Sequence, residues 1–373
     1  VHLWEVKSAT QHSITAVGTM SGTSLDGLDL VWVRFTPRSH QHWDLEWGPG
    51  RTVSYAGTRW EEDLPLAYRR PVAELNETSQ AYAAWCNAEL RRFLREEHLP
   101  FPDVVGHHGH TVHHRPHEGT TYQLGNEPEM AAHLPSAVVG DFRVDDVALG
   151  GQGAPLVPVA DRLLFGTYAH CVNLGGFANT SCEIDGLRRA WDVVPLNILS
   201  NELTQRLGLP FDDRGGIAAS GTLLPSLFSQ LESLPHFQLP YPKSLAREDV
   251  ERDWKPLVEQ ALAHQPLPDV LRTWTEHAAS RVANDLRLGP PGTALLSGGG
   301  VHNEFFVNRL KQLAPRPLEV LDAHRSNFKE AAAFALLAAL KVRGENNVLA
   351  SVTGAERDHS AGTLLSAEAR QKK

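Results

Sequence analysis

The chain has 373 residues, which at roughly 100–200 residues per domain leaves room for about two domains and excludes a single small module. With 42% hydrophobic and 21% charged residues it has the make-up of a folded globular protein, not of a disordered one. Asp plus Glu (44) outnumber Lys plus Arg (35) for a net charge of −9, so no general basic field is available to hold nucleic acid.

The strongest apolar run, residues 331–340, is about half the roughly 20 residues of a membrane helix. The first seventeen residues lack a secretory core. The expectation is a cytoplasmic protein with no membrane partner. The three cysteines, Cys86, Cys171 and Cys182, are an odd number without pattern and suggest neither a disulfide framework nor a thiolate zinc site.

In chain order, residues 13–17 form a β-prone run that ends at Gly18 and resumes after Gly27 as residues 28–35, with a polar, glycine-punctuated tip between them. Tyr82, Trp85, Cys86, Leu90, Phe93 and Leu94 step by three and four and predict a helix over about 74–97. The hairpin layout returns at residues 171–174, Gly175-Gly176 and residues 177–184, which predicts two similar domains, each opening on a glycine-tipped hairpin. Residues 188–192 read as a strand ending in Asp192, before a helix capped by Asn197. Leu271, Trp274, Ala278, Val282 and Leu286 mark another helix before the stop at Gly289. A buried strand at 294–296 then runs into Gly298-Gly299-Gly300, and Asn303 caps a helix carrying Phe306, Leu310 and Leu313. The last long helix, 328–342, bears Glu330 near its start. Strands mixed with long helices argue for α/β layering.

The tip at 18–27 gathers hydroxyls, glycines and a carboxylate. Freed amides and Ser or Thr hydroxyls can hold phosphate oxygens, and an aspartate can hold magnesium through water; a plain hairpin using glycine for positive φ is the other reading. The Gly-Lys-Ser ending of a Walker loop is absent. Gly175-Gly176 and Gly298-Gly299-Gly300 add two sites of close backbone approach, and the three clusters together favour a nucleotide site. Residues 106–117 hold six of the 19 histidines, which suit a metal site, contact with a polar substrate, or a plain surface. Asp192 is either a general base or an aspartate that merely opens a helix. Arg143 is either a clamp for a carboxylate or phosphate or half of a surface pair.

The stretches Gly-Thr-Met-Ser-Gly-Thr-Ser-Leu-Asp-Gly at 18–27, Gly-His-His-Gly-His-Thr-Val at 106–112, Gly-Asp-Phe-Arg at 140–143, Ala-Leu-Gly-Gly-Gln-Gly-Ala-Pro-Leu-Val-Pro at 148–158, Asn-Leu-Gly-Gly-Phe-Ala-Asn at 173–179 and Ser-Val-Thr-Gly-Ala at 351–355 resemble anhydro-N-acetylmuramic acid kinases. The likeness runs in order over nearly the whole chain. It implies an α/β fold of two ribonuclease-H-like domains, as in sugar kinases and actin-like ATPases, with ATP in a cleft between them. The expected limits are 1–135 plus about 350–373 for one domain and 136–349 for the other. It further implies that ATP, water and 1,6-anhydro-N-acetylmuramic acid give N-acetylmuramic acid 6-phosphate and ADP, a step of peptidoglycan recycling, in a cytoplasmic homodimer using Mg2+.

Carried over residue by residue, the resemblance makes Asp192 the catalytic aspartate and matches Glu330 to a glutamate of the late helix. Gly22, Thr23, Ser24, Leu25, Asp26, Gly27 and Asp29 match the ATP-phosphate hairpin, with Asp26 touching magnesium through water, and Gly175, Gly176, Gly298, Gly299 and Gly300 complete the ATP site. His108, Thr111, His114 and Arg143 match positions near the sugar, Arg143 facing its lactyl carboxylate. Two departures stand close to the chemistry. The family pattern Asp-Thr-Gly-Pro-Gly-Asn is here Asp192-Val193-Val194-Pro195-Leu196-Asn197, and His110 replaces a glutamine. Valine and leucine there either narrow the site or are absorbed by the backbone, and they motivate a rival reading, a silent relative that binds nucleotide or anhydromuramyl sugar as a sensor. A metal-dependent hydrolase built on the histidines is a third.

Overall fold

The computed structural model describes residues 12–22, 25–241 and 243–366; Thr23 and Ser24, two of the expected phosphate contacts, lie outside them. Twelve strands are described: β1 Ile14–Ser21, β2 Gly27–Ser39, β3 His42–Ser54, β4 Val104–Arg115, β5 Thr120–Leu124, β6 Ala137–Gly140, β7 His170–Leu174, β8 Phe177–Ile184, β9 Leu187–Pro195, β10 Ala294–Ser297, β11 Leu318–Val320 and β12 Thr363–Leu364. They form two sheets, ordered β12-β6-β4-β1-β2-β3 with β5 folded back on β4, and β11-β10-β7-β8-β9.

In each sheet three consecutive strands pair antiparallel, and two later strands add parallel beside the first of the three. The parallel additions need long crossovers, which the helices supply. This order, third-second-first-fourth-fifth, is the ribonuclease-H-like arrangement, and it occurs twice. β1 runs on to Ser21, so the tip of the first hairpin is shorter than the sequence suggests, whereas the second hairpin turns at Gly175-Gly176 as expected.

Two compact units result. One runs to Gly166 and takes the chain up again at Phe328; the other is Thr167–Asn327. These limits differ from the 135 and 349 expected from sequence, for two reasons. β6 pairs in parallel with β4, which draws the following segment into the first unit. The later helix Ala323–Val342 then packs its backbone on β1 and β4: a Cβ on Gly18 would lie 1.8 Å from the Ala331 carbonyl oxygen, and one on Gly106 2.1 Å from that of Phe334. Glycine at both positions lets the helix approach that closely.

The first core collects Tyr82, Cys86, Leu90 and Phe93 from the helix Asn76–Glu96 against Val17, Leu30 and Val105 of the sheet. The second collects Leu271, Trp274, Ala278 and Val282 of the helix Leu267–Asp285 with Val172, Leu174, Val194 and Trp254. The three- and four-residue spacing seen in the sequence is thus the buried face in both.

Candidate functional site

In the first unit, the hairpin tip closes through a long Leu25 N–H to Gly22 carbonyl bond of 3.4 Å, with Leu25 at φ 58°. Gly27 is needed for packing, since a Cβ there would sit 2.6 Å from the Val53 carbonyl oxygen. Asp26 is exposed and Asp29 half-buried. The Thr52 hydroxyl donates to Asp29 Oδ1 at 2.5 Å. Burial pushes the Asp29 carboxyl up to about 6, with the negative charges of Asp26 and Glu330 adding to the rise against the Thr52 hydrogen bond. Three carboxylates therefore share one neighbourhood. Glu330 is open to solvent on one side; loss of water on the others raises its carboxyl, against the pull of Arg143 and Lys329.

Beside them, His108 Nδ1–H donates to the Gly109 carbonyl at 2.9 Å, which leaves Nε2 to accept from Arg143 Nη2 at 2.9 Å. Arg143 Nη1 donates to the Gly153 carbonyl at 2.7 Å. Gly153 in turn lies against His114, whose Nδ1 is 3.1 Å from Thr121 Oγ1. Burial and then the Arg143 charge hold His108 and His114 below the usual imidazole range. One guanidinium between two neutral imidazoles is suited to a carboxylate with neighbouring hydroxyls. His108, His114 and Arg143 are thus brought together. Thr111 pairs with Gln123 across β4 and β5 and has no side-chain hydrogen bond to those three among the described residues.

Of the four remaining histidines of the run, His107 is taken by Thr19 at 2.7 Å, His110 by Ser21 at 2.8 Å and Tyr68 at 3.1 Å, and His113 by the Arg70 carbonyl at 2.8 Å, while His117 is exposed with its Nε2 3.5 Å from Glu118 Oε1. Among the described residues no three His, Cys, Asp or Glu side chains converge to hold a metal directly.

In the second unit, Gly175-Gly176 and Gly298-Gly299-Gly300 meet at the ends of β7 and β10, where Asn173 stands opposite Ser297. Gly298 is at φ 86°, and a Cβ on Gly300 would lie 2.8 Å from the Leu174 carbonyl oxygen. The Gly175 and Gly176 carbonyls accept the first amides of the helix Asn197–Gln205. Two of the three glycine clusters are therefore neighbours within this unit.

Asp192 lies inside β9, which continues to Pro195, so it does not end the strand as expected. The β8–β9 register slips beside it, Ala178 facing Val194 and Asn179 facing Asp192, which makes Val193 the extra residue of a bulge. Asn197 does not cap the helix either: its Nδ2 donates to the Leu174 carbonyl at 3.3 Å. Burial raises the Asp192 carboxyl to about 6, against the Leu245 amide that donates to Oδ2 at 2.8 Å. Val193, Val194 and Leu196 are buried in the second core, none at positive φ, so the departures from the family pattern are absorbed as packing. Spacing gave no sign of Leu245 or of His236, whose Nε2 donates to the Asp192 carbonyl at 3.1 Å; both belong to a loop that sequence reading leaves featureless.

A family model described as anhydro-N-acetylmuramic acid kinase matches residues 14–367. A relative of that name from Xanthomonas axonopodis pv. citri (strain 306) is 35% identical over 94% of this chain and 98% of its own. Another from Actinobacillus pleuropneumoniae serotype 7 (strain AP76) is 32% identical over 93% of this chain and 98% of its own. Among solved structures, component A of (R)-2-hydroxyglutaryl-CoA dehydratase from Acidaminococcus fermentans aligns over 88% of this chain and 99% of its own, at 12% identity and a TM-score of 0.45. With a match this long and relatives this similar, the chain belongs to the anhydro-N-acetylmuramic acid kinase family and is a kinase.

Proposed function

We propose that the protein uses ATP and water to convert 1,6-anhydro-N-acetylmuramic acid to N-acetylmuramic acid 6-phosphate, opening the anhydro ring. A water oxygen bonds to the anomeric carbon as its proton passes to Asp192. The C1–O6 bond breaks, O6 bonds to the γ-phosphorus, and the β,γ-bridging oxygen leaves with ADP. The base-plus-water half follows inverting glycosidases, and the leaving oxygen takes a phosphoryl group in place of a proton.

The observation that carries this reading is Asp192 itself. The residue that the family resemblance makes the base has a carboxyl held at about 6, near working pH. Its Oδ1 has no hydrogen-bond partner among the described residues. In the first unit, Arg143 with His108 and His114 is the set for the lactyl carboxylate and sugar hydroxyls, with Thr111 beside them. Gly22, Leu25, Asp26 and Gly27 of the first hairpin, together with Thr23 and Ser24, are assigned to the phosphates, as are Gly175, Gly176, Gly298, Gly299 and Gly300.

Magnesium fits this residue set, because Asp26, Asp29 and Glu330 form an acidic group whose mutual repulsion adds to the rise that burial gives Asp29. Asp26 and Asp29 would hold it through water, and the ion would neutralise charge on the phosphates. The same family reading makes the reaction a step of peptidoglycan recycling, performed in the cytoplasm by a homodimer.

The test is incubation with Mg-ATP and 1,6-anhydro-N-acetylmuramic acid, following ADP and the 6-phosphorylated sugar by mass, beside Asp192→Asn. Product from the wild type alone supports the kinase and its base together. Binding of both ligands without product moves the reading to a silent sensor.

A further inference from the structure

β9 is the outer strand of its sheet, so the backbone groups on its free edge need partners from elsewhere. At Asp192 they come from His236, Lys243 and Leu245. The Asp192 N–H donates to the Lys243 carbonyl at 2.9 Å. His236 Nε2 donates to the Asp192 carbonyl at 3.1 Å, and the Leu245 N–H donates to Asp192 Oδ2 at 2.8 Å. Three separate groups of one residue are thus fixed by three residues that lie close together in the chain.

The loop is itself pinned. Tyr241 stacks on Trp191, the neighbour of Asp192, with ring centroids 5.1 Å apart and planes 27° apart. Trp191 is fixed from its other end, where Nε1 donates to Asp285 Oδ2 at 2.7 Å. Lys243 Nζ donates to the His236 carbonyl at 3.1 Å and lies 5.9 Å from the Phe237 ring centroid. His236 packs edge-on against Trp254 at 5.8 Å. A loop that only covered the sheet edge would need none of the contact to the carboxylate.

We propose that residues 236–241 and 243–245 form a positioning strap for Asp192, locked by His236, which fixes Oδ2 through the Leu245 amide and leaves Oδ1 as the oxygen that takes the proton. This rests on Asp192 as the base. An N–H donated to a carboxylate favours its ionised form, and a base held in one orientation wastes fewer encounters. A slackened strap therefore raises the affinity of Asp192 for its proton and loosens its aim. The charged and titratable groups around it are few. His236 is held neutral, down to about 4, by burial and then by Lys243. Lys243 is lowered by burial, with Asp285 and Arg281 acting on it in opposite directions. Neither hydrogen-bonds the carboxylate, so the Leu245 amide is the group through which the strap acts.

The experiment uses the full chain labelled at the aspartate carboxyl carbons with 13C, the Asp192 signal being assigned by its loss in Asp192→Asn. Its titration is followed in Tyr241→Ala, His236→Ala and His236→Gln. Tyr241 is 39% exposed, so its truncation spares the core should His236→Ala fail to fold. The expected midpoint rises by about 0.5–1 unit in Tyr241→Ala and His236→Ala. It stays at the wild-type value in His236→Gln, whose amide nitrogen reaches the place of imidazole Nε2. The acid limb of kcat/KM moves by the same amount while the KM for nucleotide holds. An unmoved midpoint in the truncations, or the same shift in His236→Gln as in His236→Ala, overturns the strap. Should the truncations move the titration while Asp192→Asn still turns over, the base assignment fails and the strap stands.

Discussion

The Thr353 hydroxyl donates to Asp146 Oδ1 at 2.7 Å across 207 residues of chain. The other carboxylate oxygen accepts the Gly153 amide at 2.7 Å, and the Gln152 amide donates to the Thr353 carbonyl at 2.9 Å. A fully buried aspartate thus ties the Gly-rich stretch after 148 to the Ser-Val-Thr-Gly-Ala stretch at 351–355, two of the family motifs, inside the first unit. Asp146→Ala leaves a buried hydroxyl and a buried amide unpaired, at a cost of about 2–4 kcal/mol. Urea unfolding is the measurement, and Asp146→Asn, which loses one acceptor, is expected to fall between the two.

Restoring the family's glycine at 194 is expected to weaken the protein. Val194 is fully buried among Trp191, Trp254 and Trp274 of the second core, and removing its side chain opens a cavity there. Val194→Gly costs about 2–3 kcal/mol from lost packing and added backbone freedom. A lowered Tm with no gain in kcat is the expected pair of results.

Stability is expected to fall as pH drops from 6.5 toward 4. His107, His110, His170 and His236 are held near 4, and His277 near 3, by burial, against an ordinary 6.5. With the folded value below the unfolded one, the unfolded chain binds more protons across that window. Stability is then complete above 6.5 and is lost as pH falls through the folded values. Asp29 and Asp192, raised to about 6 from 3.8, act the opposite way, as do Glu330 and Asp285, also raised by burial, but these four stand against seven histidines once the lowered His108 and His114 are counted. Urea midpoints between pH 7.5 and 5 measure the slope, and His110→Gln flattens it by up to about one proton.

Magnesium with a non-hydrolysable ATP analogue is expected to bind more tightly as pH rises through 6 and to release protons. A cation near Asp26 and Glu330 cancels the repulsion that helps to lift Asp29, so the folded protein gives up the Asp29 proton on binding. Calorimetry at pH 6 in two buffers of different ionisation enthalpy counts the protons. Asp29→Asn removes the part due to this residue, and an unchanged count in that variant rejects the assignment.

Periodicity and turn residues made most of the fold legible. The helix face of Tyr82, Cys86 and Phe93, the turn at Gly175-Gly176 and the Asn303 cap, which accepts the Phe306 amide at 2.9 Å, all follow from local patterns. The unit limits were not legible, because they depend on β6 pairing with β4 and on a helix from the end of the chain returning to β1 and β4. The motifs also singled out Asp192, Arg143 and His108 as candidates. They missed what holds Asp192, since a backbone amide at Leu245 carries no residue signature. They also left open whether Val194 and Leu196 crowd the site, a question decided by which way their side chains point.

The contacts at Gly18 and Gly106 narrow the routes by which this chain can change. Each glycine faces a main-chain oxygen of the helix Ala323–Val342, that of Ala331 or Phe334. Where a side chain fills such a gap, a smaller partner can make room and a pair of substitutions restores the fit. A carbonyl belongs to every amino acid alike, so no replacement at 331 or 334 can excuse a methyl group at 18 or 106. The two positions have no second-site remedy within that helix, and the placement of Glu330 one residue before Ala331 inherits their constancy.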